Sequence, residues 1–287
     1  MIPDHLLRRT LWWLRYVAPR HDVTVETFNG RLTFSSRQWL IGKYLYVMRG
    51  HEANEIRSAM ALVRRLGYCA PSDRLRTVIN AGANIGMTTI ALIKEGYVDR
   101  ALAFEPAPEN FKYLVRNIAA NGLEHAVRTF QMALSRRDGE VKFELSPDNS
   151  GDHRVRVVTS PGFYREETRK IIRVRAASLD SLMRDESFGA READLLWVDI
   201  QGHEGYFFQG AREFLRRDIP TITEFWPYGI GRSGISEHAF VDILSQTFNW
   251  FYLATEPDCA RRPIGEVAGL FAKYSSPRQF CTLLLTK

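Results

Sequence analysis

Residues 80–86 read Asn-Ala-Gly-Ala-Asn-Ile-Gly and lie between the apolar run Thr77-Val78-Ile79 and an amphipathic stretch that opens at Ile85. This junction constrains the fold more than any other part of the chain. Glycine at 82 and 86 lets the chain turn tightly from strand to helix and brings a ligand within reach of the backbone, beside the unpaired N–H groups of a helix start. The spacing is neither the G-x-G-x-x-G of dinucleotide enzymes nor a phosphate loop with Lys-Ser/Thr, so a pyrophosphate is not specified. Any doubly wound fold needs such a turn, and a ligand reading therefore requires partners elsewhere in the chain.

Downstream of residue 76 the pattern repeats. Ala101–Phe104 reads as a second strand ending at Glu105, and Glu109–Asn121 as a helix stopped by Gly122. Arg128–Ala133 is a third strand, Leu195–Val198 a fourth capped by Asp199, and Thr221–Thr223 a fifth ending at Glu224. Helices are expected over 205–217 and 237–246. Trp250–Leu253 and Phe280–Leu285 supply a last pair of strands, one of them antiparallel at the sheet edge. Asp138-Gly139 reads as a hairpin turn that folds 141–145 back. The alternation predicts an α/β, doubly wound, mostly parallel sheet in one domain over 71–287, and 287 residues that are 45% hydrophobic suffice for one such core plus an appendage. Residues 1–70 lack the rhythm and read as an N-terminal helical and β extension packed on that core. Residues 149–175 form an irregular insertion rich in arginine, either a solvated face or a surface that recognises an anionic acceptor.

A net charge of +6, from 39 basic and 33 acidic residues, is too mild for a nucleic-acid footprint, and none is expected as partner. Cys69, Cys259 and Cys281 have no metal-type spacing, which predicts a reducing, cytoplasmic setting without disulfides. The first residues lack the unbroken apolar core of a signal peptide or membrane span. Leu6, Leu7, Leu11, Leu14 and Val17 with intervening arginines read first as a helix packed on the core or on a second subunit, and second as an interfacial membrane helix.

Glu105 follows the glycine turn by just over twenty residues, where a carboxylate at a strand end accepts hydrogen bonds from both hydroxyls of a ribose. A nucleoside without a phosphate chain fits this pair. The chain resembles the FkbM family of methyltransferases through Gly82–Gly86, Phe104-Glu105-Pro106 with Pro108 and Asn110-Phe111, Ala133-Leu134-Ser135 with Asp138-Gly139, Ser178-Leu179-Asp180, and the run Asp199 to Glu204. The resemblance spans about 50 to 225. It implies a class I methyltransferase fold with a seven-stranded sheet, S-adenosylmethionine as cofactor, and usually O-methylation of a sugar, glycan or hydroxylated natural product. It further implies that Asn80, Gly82, Asn84 and Gly86 hold the methionine moiety, Glu105 the ribose and Met132-Ala133 the adenine, while Asp199 closes the pocket. Asn80 stands where the family commonly has Asp, and Gln201 where it commonly has Glu.

A hydroxyl acceptor must lose its proton as the new bond forms, and a positioned base assists by roughly two to four orders of magnitude. His203 is the first candidate because an unperturbed imidazole titrates near neutrality, with Glu204 and Glu224 as alternatives. Asp199, Glu204 and Glu224 have the oxygen chemistry of a hard-cation site, but nothing in the sequence demands a metal and none is expected. Trp226 is a weaker candidate for stacking on substrate. Two further readings stay open: methylation of a different nucleophile, and a non-catalytic protein that keeps the fold as a binding module.

Overall fold

The computed structural model describes residues 4–70, 72–147, 149–256 and 259–287. The chain begins with helix α1 (Asp4–Val17), a hairpin of β1 (Asp22–Thr27) and β2 (Gly30–Ser35), and the short helix α2 (Trp39–Gly42) that runs into a π-helical turn over Lys43–Met48. Helix α3 (Ala53–Arg65) follows. These elements rest on the central sheet: Trp12, Leu32, Phe34, Leu45, Ile56 and Met60 join one continuous core with Val78 and Ile90. The outer edge of β2 would offer unpaired backbone groups, a liability for any edge strand. Two asparagines cover it. Asn117 accepts from Thr33 N at 2.7 Å and donates to Thr33 O at 3.0 Å, and Asn121 does the same for Arg31 at 2.9 and 2.8 Å.

The central layer is built from β3 (Leu75–Ala81), helix α4 (Met87–Lys94), β4 (Val98–Phe104), helix α5 (Pro108–Ala120) and β5 (Val127–Phe130). A second, four-stranded sheet then forms from β6 (Ala133–Leu134), β7 (Gly139–Leu145), β8 (Arg154–Val155) and β9 (Lys170–Ala177), in the order β6-β9-β7-β8. The rest of the chain comprises α6 (Leu179–Arg184), β10 (Leu195–Val198), α7 (Glu204–Gln209), β11 (Thr221–Phe225), α8 (Pro227–Arg232), α9 (Glu237–Ser245), β12 (Trp250–Leu253), β13 (Arg262–Pro263), α10 (Val267–Lys273) and β14 (Cys281–Thr286). The central order is β13-β12-β14-β11-β10-β3-β4-β5, with β3, β4, β5, β10 and β11 parallel and β14 antiparallel to its neighbours. Its strands are buried on both faces, which is why they read as apolar runs without alternation. This is a doubly wound, Rossmann-like arrangement, and the strand order reverses between β3 and β10, where α/β folds place their ligands.

Several local expectations are corrected. The sheet has eight strands because the two-residue β13 is added at one edge, and the antiparallel strand β14 lies inside it, between β11 and β12. The expected third strand divides, since Val127–Phe130 pairs with β4 whereas Ala133–Leu134 pairs with β9 in the second sheet. Asp138-Gly139 makes no hairpin: β7 pairs with β9, more than thirty residues on, and the Asp138 carboxylate instead accepts from Ser178 N at 2.8 Å and Ser181 Oγ at 2.6 Å at the start of α6. The helix expected over 205–217 stops at Gln209, because Gly210 passes so close to residue 135 that a Cβ there would lie 2.1 Å from the Ser135 carbonyl. All three cysteines are free thiols, and among the described residues no helix is long and apolar enough to cross a membrane.

Candidate active site

At the switch point, β3 ends at Ala81 and the chain turns through Gly82 with a φ of +87°, where a Cβ would lie 1.8 Å from the Asp199 carbonyl. Only glycine fits there. Gly82 and Ala83 donate to the Phe104 carbonyl at 3.0 and 2.9 Å, which locks the turn to the end of β4. Asn84 takes a left-handed φ of +50°, and Gly86, at +96°, caps α4. The next residue of β4, Glu105, closes the corner: its two oxygens accept from Asn84 N at 2.9 Å and Ala107 N at 2.8 Å. Burial pushes the Glu105 carboxyl up to about 7, against the pull of those backbone donors.

These residues open onto a cavity of about 410 Å³, a size ordinary for small-molecule sites, lined by Gly82, Asn84, Glu105, Met132 and Ala133 together with Asp199, Gln201, His203 and Glu224. The corner therefore fits a nucleoside: a carboxylate beside a Cβ-free backbone, an apolar segment from Met132, and a buried Asn84 Oδ1 without a hydrogen-bond partner. Asn80, Gly86 and Glu204 do not line the cavity. Asn80 is turned into the core, where Nδ2 donates to Thr89 Oγ1 at 2.8 Å and ties β3 to α4. Asn80 is thus corrected to a structural residue, and Gly86 contributes through backbone shape alone.

Across the cavity, Gln201 stands with φ at +56° and its Nε2 donates to Asp199 Oδ1 at 2.6 Å and to Glu224 Oε2 at 3.0 Å. Asp199 and Glu224 are close enough to share a proton. Burial, then the charge of Asp199, raises the Glu224 carboxyl well above its ordinary range, and burial and the charge of Glu52 bring Asp199 to about 6. Glu204 has no exposed surface, accepts from Ile200 N at 3.0 Å and is pushed to about 7 by burial. Asp199, Glu204 and Glu224 each bring one oxygen within 4.8 Å of the others, but an amide donor already faces two of them.

His203 is placed at the cavity wall with a different character from the one expected. Its ring is buried against Tyr206, Nε2 is 2.9 Å from Ser135 Oγ, and burial, reinforced by the charge of Arg136, drives its pKa down to about 3. It is a neutral, weakly basic imidazole rather than one poised near pH 7. Trp226 is corrected to a packing residue, with Nε1 donating to the Pro277 carbonyl at 2.8 Å and its ring against Arg154, Tyr164 and Tyr228.

Three arginines of the arginine-rich insertion face inward, while Arg165, Arg173 and Arg175 are exposed. Arg169 meets Glu144 at 3.2 Å, Arg156 meets Glu144 at 3.4 Å, and Asp152 bridges Arg154 and Arg169. Tyr228 donates to Glu166 at 2.7 Å at the same cluster. The inward-facing arginines brace the loop that presents Asn149 to His153 to the cavity, and among the described residues no Lys or Arg lines the cavity itself. Sequence reasoning missed three polar lining residues, His51, Glu52 and Glu55, which enter the cavity at the start of α3. Burial, then the charge of Glu52, raises Glu55 to about 8; burial opposes charge on His51, yet Glu52 and Glu55 outweigh it and raise its pKa. Their only local signal is a run of three titratable side chains at a helix start.

Residues 80–249 match the model of the methyltransferase FkbM domain. Methyltransferase sdnD of Sordaria araneosa is 28% identical over 177 residues, covering 53% of this chain and 68% of that protein. Methyltransferase 1 of Beauveria bassiana is 32% identical over 75 residues, 26% of this chain and 30% of the relative. Among solved structures, the methyltransferase FkbM from Methylobacillus flagellatus superposes with a TM-score of 0.45 at 15% identity, over 98% of this chain and 60% of that one.

Proposed function

Because the chain belongs to the FkbM methyltransferase family, we propose that it is an S-adenosylmethionine-dependent O-methyltransferase acting on an uncharged, hydroxyl-bearing acceptor such as a sugar, glycan or hydroxylated natural product. When bound, the cofactor supplies an electrophilic methyl group on sulfur. Gly82, Asn84 and Glu105 would hold it, with Met132 and Ala133 against the base. Transfer from a sulfonium is an in-line displacement, so the protein's work is to orient the acceptor oxygen, exclude water and accept one proton.

The observation that carries this reading is a single cavity joining the Gly82–Glu105 corner to the Asp199–Gln201–Glu224 group. Asp199, ionised beside a protonated Glu224 and near its own pKa of about 6, is the group suited to accept the hydroxyl proton. The Gln201 amide donates to both carboxyls and would orient them. Glu52, Glu55 and Gln201 offer acceptors to the several hydroxyls of a polyol, which supports a neutral acceptor over a carboxylate or phosphate.

The test is transfer of labelled methyl from S-adenosylmethionine to a panel of glycosides and hydroxylated small molecules, with Asp199→Asn as the variant. Product from a neutral hydroxyl, slowed about 100-fold or more by the variant, is expected. Transfer confined to amines, or an unslowed variant, contradicts the assignment.

A further inference from the structure

Helix α1 buries Trp12 and turns the opposite face outward. Trp12 has no exposed surface; its ring lies 5.8 Å from those of Phe34 and Tyr46 and fills the space where a Cβ on Gly42 would be. Leu6, Leu7, Leu11, Trp13, Leu14 and Val17 are each 39% to 52% exposed. At about 100° per residue these six occupy an arc of roughly 160°, centred opposite Trp12. Arg8 and Arg15 border the arc beside Leu11, and Arg9 borders it beside Trp13. Among the described residues nothing covers this face, and an apolar helical face of this breadth is uncommon on a surface in water.

Charge selects the occupant. Helix α1 carries Arg8, Arg9 and Arg15 against Asp4 alone, and Arg20 beyond it pairs with Glu109, so two copies meeting on this helix would still bring like charges together. An anionic bilayer instead takes up the leucines and Trp13 at the level of the acyl chains while the flanking arginines meet its headgroups. The helix also packs on a segment that lines the cavity. Tyr16 packs edge-on against Trp39, Arg15 donates to Tyr46, and Leu40 and Tyr44 of the same segment are both exposed and part of the cavity lining. We infer that α1 docks the protein on anionic membrane surfaces as an in-plane helix and brings the cavity mouth to the lipid interface. On the proposed methyl-transfer reading, the acceptor hydroxyl is then one presented by an amphipathic molecule resident there.

Flotation of the full chain with vesicles tests this, comparing phosphatidylcholine alone with equal parts phosphatidylcholine and phosphatidylglycerol. Binding to the anionic vesicles with a blue shift of tryptophan emission is expected, weakened about tenfold or more in Leu7→Glu/Leu14→Glu, whose positions are exposed and do not support the fold. Arg9→Glu lowers binding in the same direction. Three results would overturn the inference: no binding to either vesicle, equal binding to the neutral one, or a dimer in solution that the double variant dissociates while vesicles are ignored. Titration of the double variant with S-adenosylmethionine separates the two readings. Flotation without cofactor binding in the wild type leaves the docking surface standing and removes the methyl-transfer reading.

Discussion

At the residue scale, the site works by placing carboxyls where burial and mutual charge hold some of them protonated. On the proposed reading Asp199 would serve as base beside Glu224, since the two carboxyls sit together out of water and the Gln201 amide donates to both. A glutamate at 201, common in the family, would put a further carboxylate against this pair, so the glutamine lowers the negative charge of the group by one. His203 stands outside this arrangement. We predict that His203→Ala retains methyl transfer and preserves cofactor binding, while losing about 1–3 kcal/mol of stability because Ser135 is left without its buried partner; a turnover lost in proportion to the missing imidazole would restore His203 as the base. Gly82, Glu105 and Asp199 were legible in the sequence because each follows directly from an apolar strand, so the motif and its position in space coincide. Glu52 and Glu55 were not legible, since only tertiary packing of α3 brings them to Asp199, nearly 150 residues away.

At the element scale, parallel strands with buried faces announce themselves by unbroken apolar runs, and β3, β4, β10 and β11 were all visible this way. The second sheet was not. β7 takes its main partner β9 from beyond an irregular stretch, and the strands are partly polar, so no local pattern fixes which partner β7 takes, and the nearby Asp138-Gly139 pair pointed to a hairpin that the capping of α6 displaces. The inward turn of Arg154, Arg156 and Arg169 was equally hidden, because a charge run gives no sign of which acids will fold over it. The early end of α7 has a steric cause and carries a prediction. Gly210→Ala places a methyl 2.1 Å from the Ser135 carbonyl, and the backbone must shift to admit it. A cost of about 1–3 kcal/mol is expected in urea unfolding. An unchanged midpoint would mean that the contact between α7 and the second sheet is looser than described.

At the scale of the whole molecule, the cavity group makes folding stability depend on pH in an uncommon direction. Glu55 is raised to about 8, Glu105 and Glu204 to about 7 and Asp199 to about 6, and Glu224 is raised further above its ordinary range. The folded protein therefore holds protons that the unfolded chain has already released, and stability falls as pH rises through those values. His51, raised in the fold, acts in the same direction. His203 at about 3 and His153 at about 4 act in reverse, but only below the ordinary histidine value near 6.5. Between pH 6.5 and 8.5 we predict a falling Tm, with a shallower slope in Glu55→Gln; a Tm that is flat or rises there would show that these carboxyls are solvated in solution.

The central claim is that the Gly82–Glu105 corner binds S-adenosylmethionine, and calorimetric titration of wild type and Glu105→Ala tests it most directly. The account predicts saturable binding of S-adenosylmethionine and S-adenosylhomocysteine by the wild type, with NAD and ATP silent, and an affinity about ten- to a hundredfold lower in the variant, since hydrogen bonds to a charged group contribute about 1.5–3 kcal/mol. A folded wild type that ignores both sulfur nucleosides, or a variant that binds them equally well, would contradict it.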